Sequence, residues 1–381
     1  MFNNLIELIK SMPDEATCRD YVAKQRWEDG KAVCPYCGHG KCYNIENGKR
    51  YKCGSKTCYK KFSVITGTIM EASNLPLIKW LTAIYLVSSH KKGISSYQLG
   101  RDLQIAQKNA WFVLHRIREM LRVKEGLMLD NIVEIDETYI GGKVPNMSKT
   151  KRTKLRETGN SLNTKTMVMG MVERSGNLKL VPVHASVNSM AMQTVVNTNV
   201  DKDAVVITDS LAAYNGLDKQ YAAHEIVNHS EQEYVRDGVF HTNTIEGAFS
   251  LLKRSIIGIY HQVTPKHLSR YCDETMYRYN LRKMTDVQRF NYTMTNIEGR
   301  LKYKALISVP DNKPVLVDRN RPNEYVKGKH KAIAQIFDGM IVAEFPSTAE
   351  AARQTGIYAA DIRKVLHGKR ITTKGYQWKY L

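Results

Sequence analysis

Four cysteines in two close pairs constrain what this chain can fold into more than any other feature. Cys34 and Cys37 stand in C-P-Y-C, and Cys53 and Cys58 in C-G-S-K-T-C, with 15 residues between the pairs. Four thiolates on one Zn2+ form a closed tetrahedron, so the segment that carries them must fold around a single point. Gly38 and Gly54 follow the inner knuckle cysteines, and glycine there lets backbone amides turn toward the sulfurs. The spacing predicts a structural zinc ribbon with no open position for chemistry. The second pair has four intervening residues, which a longer knuckle loop tolerates. Cys18, Cys42 and Cys272 have no partner at ligand spacing and read as packing residues. Paired spacing of this kind suits a metal site in a reducing compartment rather than a disulfide framework.

Charge narrows the choice of partner. The 381 residues hold 57 Lys and Arg against 37 Asp and Glu, a formal charge of +20. Such an excess favours a polyanion, because each neutralised phosphate releases counterions. No run of about eighteen apolar residues is present, so no membrane span is expected. The opening M-F-N-N-L-I-E-L-I-K lacks the basic region and long apolar core of a secretory signal. A polyanionic partner and a reducing compartment are the expectation.

Against that basic background, three acids stand out. Asp136 in N-I-V-E-I-D-E-T-Y-I-G-G and Asp209 in A-V-V-I-T-D-S sit on or at the end of apolar, strand-like runs. Glu246 in H-T-N-T-I-E-G-A-F-S-L-L-K opens a helical run, with Lys253 seven residues later on the same face. Any one of them alone reads as an exposed charge. Together they suit a cage for two divalent ions, Mg2+ or Mn2+, of the kind that serves in-line attack on a phosphodiester.

The rest of the chain divides around these sites. Residues 1–70 read as a helical entry, with Leu5, Ile6, Leu8 and Ile9 as its apolar face, followed by the ribbon. Residues 71–125 are helical and include helix-turn-helix spacing, with Lys108, Arg116 and Arg118 on the second helix as DNA contacts. A generic helical hairpin is the competing reading. Within 126–285, strand-like pieces at 131–137, 166–173, 178–184 and 204–208 alternate with helical patterning at 189–199 and 244–256. That order describes a mixed sheet flanked by helices. Lys151 and Arg152 lie in a basic loop suited to phosphate, Arg254 in the helical run after Glu246 is a further DNA contact, and a helix starts at Pro265. Residues 286–330 are polar and read as a linker. In 331–381 a hairpin turns at Asp338-Gly339, a capping box spans Ser347 to Glu350, and Gly356 separates two helices before a last strand. Tyr358, Arg363 and Lys364 on the second helix suit major-groove docking, and a small protein-binding module is the alternative.

Residues 30–285 resemble the insertion-sequence transposases that join a zinc ribbon to a DDE-type core. The strings that carry the resemblance are C-P-Y-C, K-F-S-V-I-T-G-T-I-M, E-I-D-E-T-Y-I-G-G-K, T-D-S-L-A-A-Y, N-T-I-E-G-A-F-S-L-L-K-R, G-I-Y-H-Q-V-T-P-K-H-L and R-Y-N-L-R. The resemblance implies an α+β multidomain chain with a ribonuclease-H-like catalytic core. It implies metal-dependent DNA cleavage and strand transfer, and a homo-oligomer on DNA. Asp136, Asp209 and Glu246 match the catalytic acids, and Lys253 the basic residue after the last one. Some relatives carry Asn as the third residue, so Asn243, one turn before Glu246, is a further candidate. His241 is a weaker one. Residues 332–380 are similar to the modular DNA-binding domain attached to homing endonucleases, which is a departure from the transposase pattern. A DNA endonuclease that cuts without joining and an inactive DNA-binding regulator are the alternatives.

Overall fold

The structure is a computed structural model that describes residues 2–27, 30–122, 128–142, 144–150, 152–153, 165–183, 189–227, 241–308, 332–338, 340–346, 348–357, 359–366 and 372–380. Two compact units divide the chain: Met1–Gly30 with Val64–Arg319, and Lys31–Ser63 with Asn320–Leu381. The entry helices therefore group with the region that carries Asp136, Asp209 and Glu246, not with the ribbon that follows them.

The first unit starts with helices α1 (Leu5–Lys10) and α2 (Glu15–Arg26), capped by Asn4 and Asp14 side chains that accept from the third amide along. Such caps satisfy amides that have no partner within the helix. Of the expected apolar face of α1, Leu8 is buried while Ile6 and Ile9 are exposed. Helices α3 (Leu77–Ser89), α4 (Ser96–Leu103) and α5 (Gln107–Met120) follow. Between α4 and α5, Gln104 takes a left-handed conformation, φ 51°, and turns the chain. The helix-turn-helix spacing is therefore present, but of its three expected DNA contacts only Lys108 is exposed. Arg116 and Arg118 are 5% and 2% exposed, so the C-terminal half of α5 is core and these two residues are not DNA contacts.

The reason lies more than 150 residues away. Arg118 Nε donates to Glu274 at 2.8 Å, and the Arg118 guanidinium packs 4.1 Å from the Tyr271 ring and 5.1 Å from that of Tyr260. Tyr260 Oη and Arg278 donate to the other oxygen of Glu274 at 2.6 and 2.7 Å. A buried carboxylate with three donors is satisfied, and the rings cover the cation.

The sheet of this unit has five strands: β4 (Ile132–Ile140), β5 (Thr166–Glu173), β6 (Leu178–Val183), β7 (Val205–Asp209) and β8 (Ala223–Val227). Their order is β6-β5-β4-β7-β8. The first three pair antiparallel, while β4, β7 and β8 are parallel. This is the mixed-sheet core expected of a ribonuclease-H-like fold. The edge strand β8 was not foreseen, since A-H-E-I-V buries only its last residue fully and shows no clear apolar alternation. One face of the sheet packs on helix α6 (Ser189–Asn197) and Tyr214, and the other on α7 (Asn243–Ser255) and α8 (Pro265–Asn280).

Residues 286–308 are not linker. Helix α9 (Asp286–Met294) opens with a capping box from Thr285 and Gln288, and α10 spans Tyr303–Ile307. Phe290 of α9 is fully buried against Phe2, Tyr21 and Tyr85. Between the two helices the chain pairs with the K-F-S-V-I-T-G-T-I-M segment, where Ile69 N donates to Ile297 O and Gly299 N to Gly67 O. Residues 309–331 lie outside the described residues.

In the second unit the ribbon forms a sheet of β1 (Cys42–Ile45), β2 (Arg50–Cys53) and β3 (Lys61–Phe62). The C-terminal module holds β9 (Ile333–Phe337), β10 (Met340–Phe345), helices α11 (Thr348–Thr355) and α12 (Ala359–Leu366), and β11 (Gln377–Tyr380). β9 lies between β10 and β11, and Ile333, Ile362 and Trp378 share the module's core. Asp338 at the hairpin turn and Gly356 between the helices have φ of 49° and 64°. Gly339, Ser347 and Tyr358 lie outside the described residues.

The Glu274 network yields a pH test. Burial alone would raise this carboxyl, but Arg118 and Arg278 outweigh it and hold it at about 2. A folded value below the unfolded one adds stability above the ordinary Glu range, and that stability is lost as pH falls toward about 2. Chemical denaturation of Glu274→Gln is expected to show lower stability at neutral pH and a flatter decline in acid than wild type.

Candidate functional site

Register brings the two aspartates together. Ile132 lies opposite Val205 and Glu134 opposite Ile207 in the parallel pair of β4 and β7. Continued by two residues, that register sets Asp136 beside Asp209, the last residue of β7. Adjacent strands lie about 4.8 Å apart, so both carboxylates share one end of the sheet.

A third acid joins them, and sequence reasoning passed it over. Asp136, Glu137 and Asp209 each place a carboxylate oxygen within 4.8 Å of the others. Glu137 points to the opposite sheet face from Asp136, as the period of two requires. There Tyr214 Oη, from the T-D-S-L-A-A-Y string, donates to Glu137 at 2.9 Å. An acid next to Asp136 in E-I-D-E was the available signal. Asp136 accepts from the Glu137 amide at 2.7 Å, and Asp209 from the Leu211 amide at 3.1 Å. Burial, with the charges of Glu137, Asp209 and Glu246 added, pushes the Asp136 carboxyl up to about 7. Burial also raises Glu137. Asp136 and Glu137, half-buried carboxyls that resist ionisation, fit together with Asp209 a hard divalent cation, whose charge removes the penalty.

Glu246 stands in the first turn of α7, exposed and outside that trio, while its charge still reaches Asp136. Lys253 and Asn243 are exposed on the same helix. What holds α7 in place is Glu134, on the same face of β4 as Asp136 and fully buried. Its carboxylate accepts from the Thr244 and Ile245 amides at 2.8 and 3.1 Å, and from Thr244 Oγ1 at 2.8 Å. These are the amides that a helix start leaves without partners, and a negative charge suits the helix dipole there. Arg174 Nε pairs with Glu134 at 2.9 Å and reaches the His241 carbonyl at 3.3 Å. His241 Nδ1 lies 3.3 Å from Glu134, so this histidine belongs to the support of α7.

Gly170 completes the fit. It lies opposite Asp136 in β5, and a Cβ added there would come within 2.6 Å of Ile245 and Phe249 of α7. Only glycine lets the helix approach the sheet this closely.

The four ribbon cysteines converge as expected. All four sulfurs lie within 4.8 Å of one another. Cys34 and Cys58 sulfurs are 3.8 Å apart, and those of Cys37 and Cys53 3.6 Å. A tetrahedron with Zn–S of about 2.3 Å has edges of about 3.8 Å, so the donor set fits Zn2+. The Ser55 amide donates to Cys53 Sγ at 3.4 Å, and Gly38 takes φ 70°, as the knuckle turns require.

The basic candidates separate. Lys108 is exposed, with its ammonium 5.4 Å from the Tyr303 ring. Arg152 and Arg254 are exposed. Lys151 lies outside the described residues, as do the side chains of Arg363 and Lys364 on α12.

Two consequences are measurable. Glu134→Ala strands Arg174 and two helix amides in the interior, which costs about 3–5 kcal/mol; Gly170→Ala costs about 1–3 kcal/mol by overpacking. Urea unfolding is expected to rank the two variants in that order. Chelation of Zn2+, or Cys53→Ser, should abolish protease resistance in residues 31–63 while leaving the near-ultraviolet signal of the first unit intact.

Comparison with known proteins agrees with this layout. Residues 128–280 match the ISXO2-like transposase domain, residues 13–61 the transposase zinc-ribbon domain, and residues 338–379 the DNA endonuclease I-HmuI-like, NUMOD-like domain. An uncharacterized protein in transposable element ISH50 of Halobacterium salinarum is 29% identical, over 65% of this chain and 84% of the relative. A chain in the simian T-cell lymphotropic virus intasome in complex with PP2A regulatory subunit B56 gamma is 15% identical, covering 66% of this chain and 82% of that one. Its TM-score is 0.25, too low to carry an argument. The chain thus carries, segment by segment, matches to a transposase zinc-ribbon domain, an ISXO2-like transposase domain and a NUMOD-like domain of a DNA endonuclease.

Proposed function

We propose that this protein cuts DNA at the ends of its own mobile element and joins the freed 3′ ends to target DNA. The observation that carries this reading is the register that sets Asp136 beside Asp209 at one end of the sheet, with Glu246 on a helix pinned next to them. Asp136, Asp209 and Glu246 would hold Mg2+ or Mn2+, which supplies charge neutralisation of the phosphodiester and activation of the attacking oxygen. Glu137 is a fourth carboxylate within reach, its position set by Tyr214. Lys253, two turns after Glu246, contacts a phosphate near the cleaved bond, and Asn243 lies on the same helix for a water or metal contact.

The ribbon and the C-terminal module supply DNA affinity outside the catalytic centre. Zinc there is structural, since four thiolates close its coordination. Joining two element ends requires two active sites, so the working form is a homo-oligomer on double-stranded DNA in the cytoplasm, at the nucleoid.

The test is a strand-transfer assay with purified protein, Mn2+ or Mg2+, labelled element-end duplex and a plasmid target. Asp136→Ala and Asp209→Ala are expected to lose joined products. Loss of one metal-holding carboxylate removes several kcal/mol of transition-state stabilisation, a rate decrease of about a thousandfold. Glu246→Gln should match them, whereas Tyr214→Phe should leave joining within about tenfold of wild type. Metal-dependent cutting without joining would favour a DNA endonuclease. Binding of the correct ends with neither reaction would favour a regulator.

A further inference from the structure

A cavity of about 380 Å3 opens in the first unit where the C-terminal end of α3 meets α7 and α8. Its lining is strongly basic, with Lys91, Lys92, Arg254, Arg278, Arg282 and Arg289 all contributing, and no carboxylate among the described lining residues. The cations are of two kinds. Arg278, Arg282 and Arg289 form the wall and are committed: Arg282 donates to the Gly176 and Tyr279 carbonyls at 3.0 and 2.8 Å. Arg278, paired with Glu274, donates to the His90 and Val87 carbonyls at 2.7 and 3.1 Å, and Arg289, paired with Asp286, to the Ser88 carbonyl at 3.1 Å. These last two hold down the final carbonyls of α3, the usual place for cations. Lys91, Lys92 and Arg254 are exposed at the mouth, and among the described residues none of them is in an ion pair.

The three open cations, none with an acid paired to it among the described residues, repel one another unless a polyanion neutralises them. The position relative to the acidic site says which polyanion fits. Arg254 is eight residues beyond Glu246 on α7, which is about 12 Å along the helix and about 80° round it. Duplex DNA rises about 3.4 Å per step, so Arg254 stands about three to four steps beyond Glu246 along α7. We propose that this cavity is a binding site for the sugar-phosphate backbone of the DNA flanking the cleaved bond, with Lys91, Lys92 and Arg254 as its phosphate contacts. The assignment rests on the DNA-processing reading above and adds to it a site that neither the ribbon nor the C-terminal module provides.

The probe is a random-sequence 30-base-pair duplex, titrated with the full zinc-loaded chain by fluorescence anisotropy over a series of salt concentrations. Each phosphate contact contributes about 0.9 to the slope of log K against log salt. The Lys91→Ala/Lys92→Ala double variant should therefore bind more weakly with a slope smaller by about 1.8, and Arg254→Gln with a slope smaller by about 0.9. The altered side chains are exposed, and an unchanged thermal midpoint checks that each variant folds. The control is Lys10→Ala/Lys24→Ala, two exposed lysines on α1 and α2 outside the cavity. An unchanged slope in both cavity variants, or an equal loss in the control, overturns the proposal while leaving the DNA-processing reading in place. Absence of any salt-dependent binding by wild type overturns both.

Discussion

The architecture of the acidic site depends on one buried carboxylate. Glu134 sits inside the sheet and would be costly there if unpaired, since a lone charge in the interior is strongly disfavoured. Arg174 and the first turn of α7 satisfy it, and in doing so they fix where α7 begins. Asp136 is two residues further along the same strand face, and Glu246 two residues beyond Thr244 in the same helical turn. A single ion-and-amide cluster therefore sets the spacing between acids that are 110 residues apart in sequence. Gly170 acts with it by removing the one Cβ that would keep the helix off the sheet.

A second buried charge cluster does the same work between the helical region and the core. Arg118, Glu274, Tyr260 and Arg278 close a hydrogen-bonded group whose members come from α5, α8 and the segment that ends α7. Replacing such a group by apolar residues is often neutral or stabilising. Its value here is positional. It carries α5 onto α8, and Arg278 in turn carries α8 onto the end of α3. The basic cavity is a consequence of that assembly, formed where four helix segments deliver cations to one place.

Legibility in the sequence differed by kind of site. The ribbon was readable because its ligands lie within 25 residues and zinc dictates their chemistry. Asp136 and Asp209 were readable because apolar runs of strand length end on them. The helix start before Glu246 was readable from its periodicity, though the residue that caps it was not: Glu134 is remote and looks like any strand glutamate. Arg116 and Arg118 read as DNA contacts in the sequence, because a helix with basic residues has the same pattern whether the charge meets phosphate, a buried glutamate as at Arg118, or aromatic rings as at Arg116. Residues 286–308 looked like linker because α9 and α10 are short and polar on most faces. Their anchoring residue, Phe290, finds its aromatic partners near the start of the chain and in α3.

By itself the sequence determined the zinc ligands, the strand-borne aspartates, the helix that carries Glu246, and the C-terminal hairpin-and-helices module. These are local properties, set by ligand spacing, by period-two and period-3.6 patterning, and by turn residues. Only the tertiary structure decided that Glu137 joins the acidic group, that Glu134 and Gly170 seat α7, and which cations are buried and which stay open. Burial and pairing are properties of two distant segments at once. No linear pattern carries them, because the partner of each charge is chosen by the register of the sheet and the packing of helices on it.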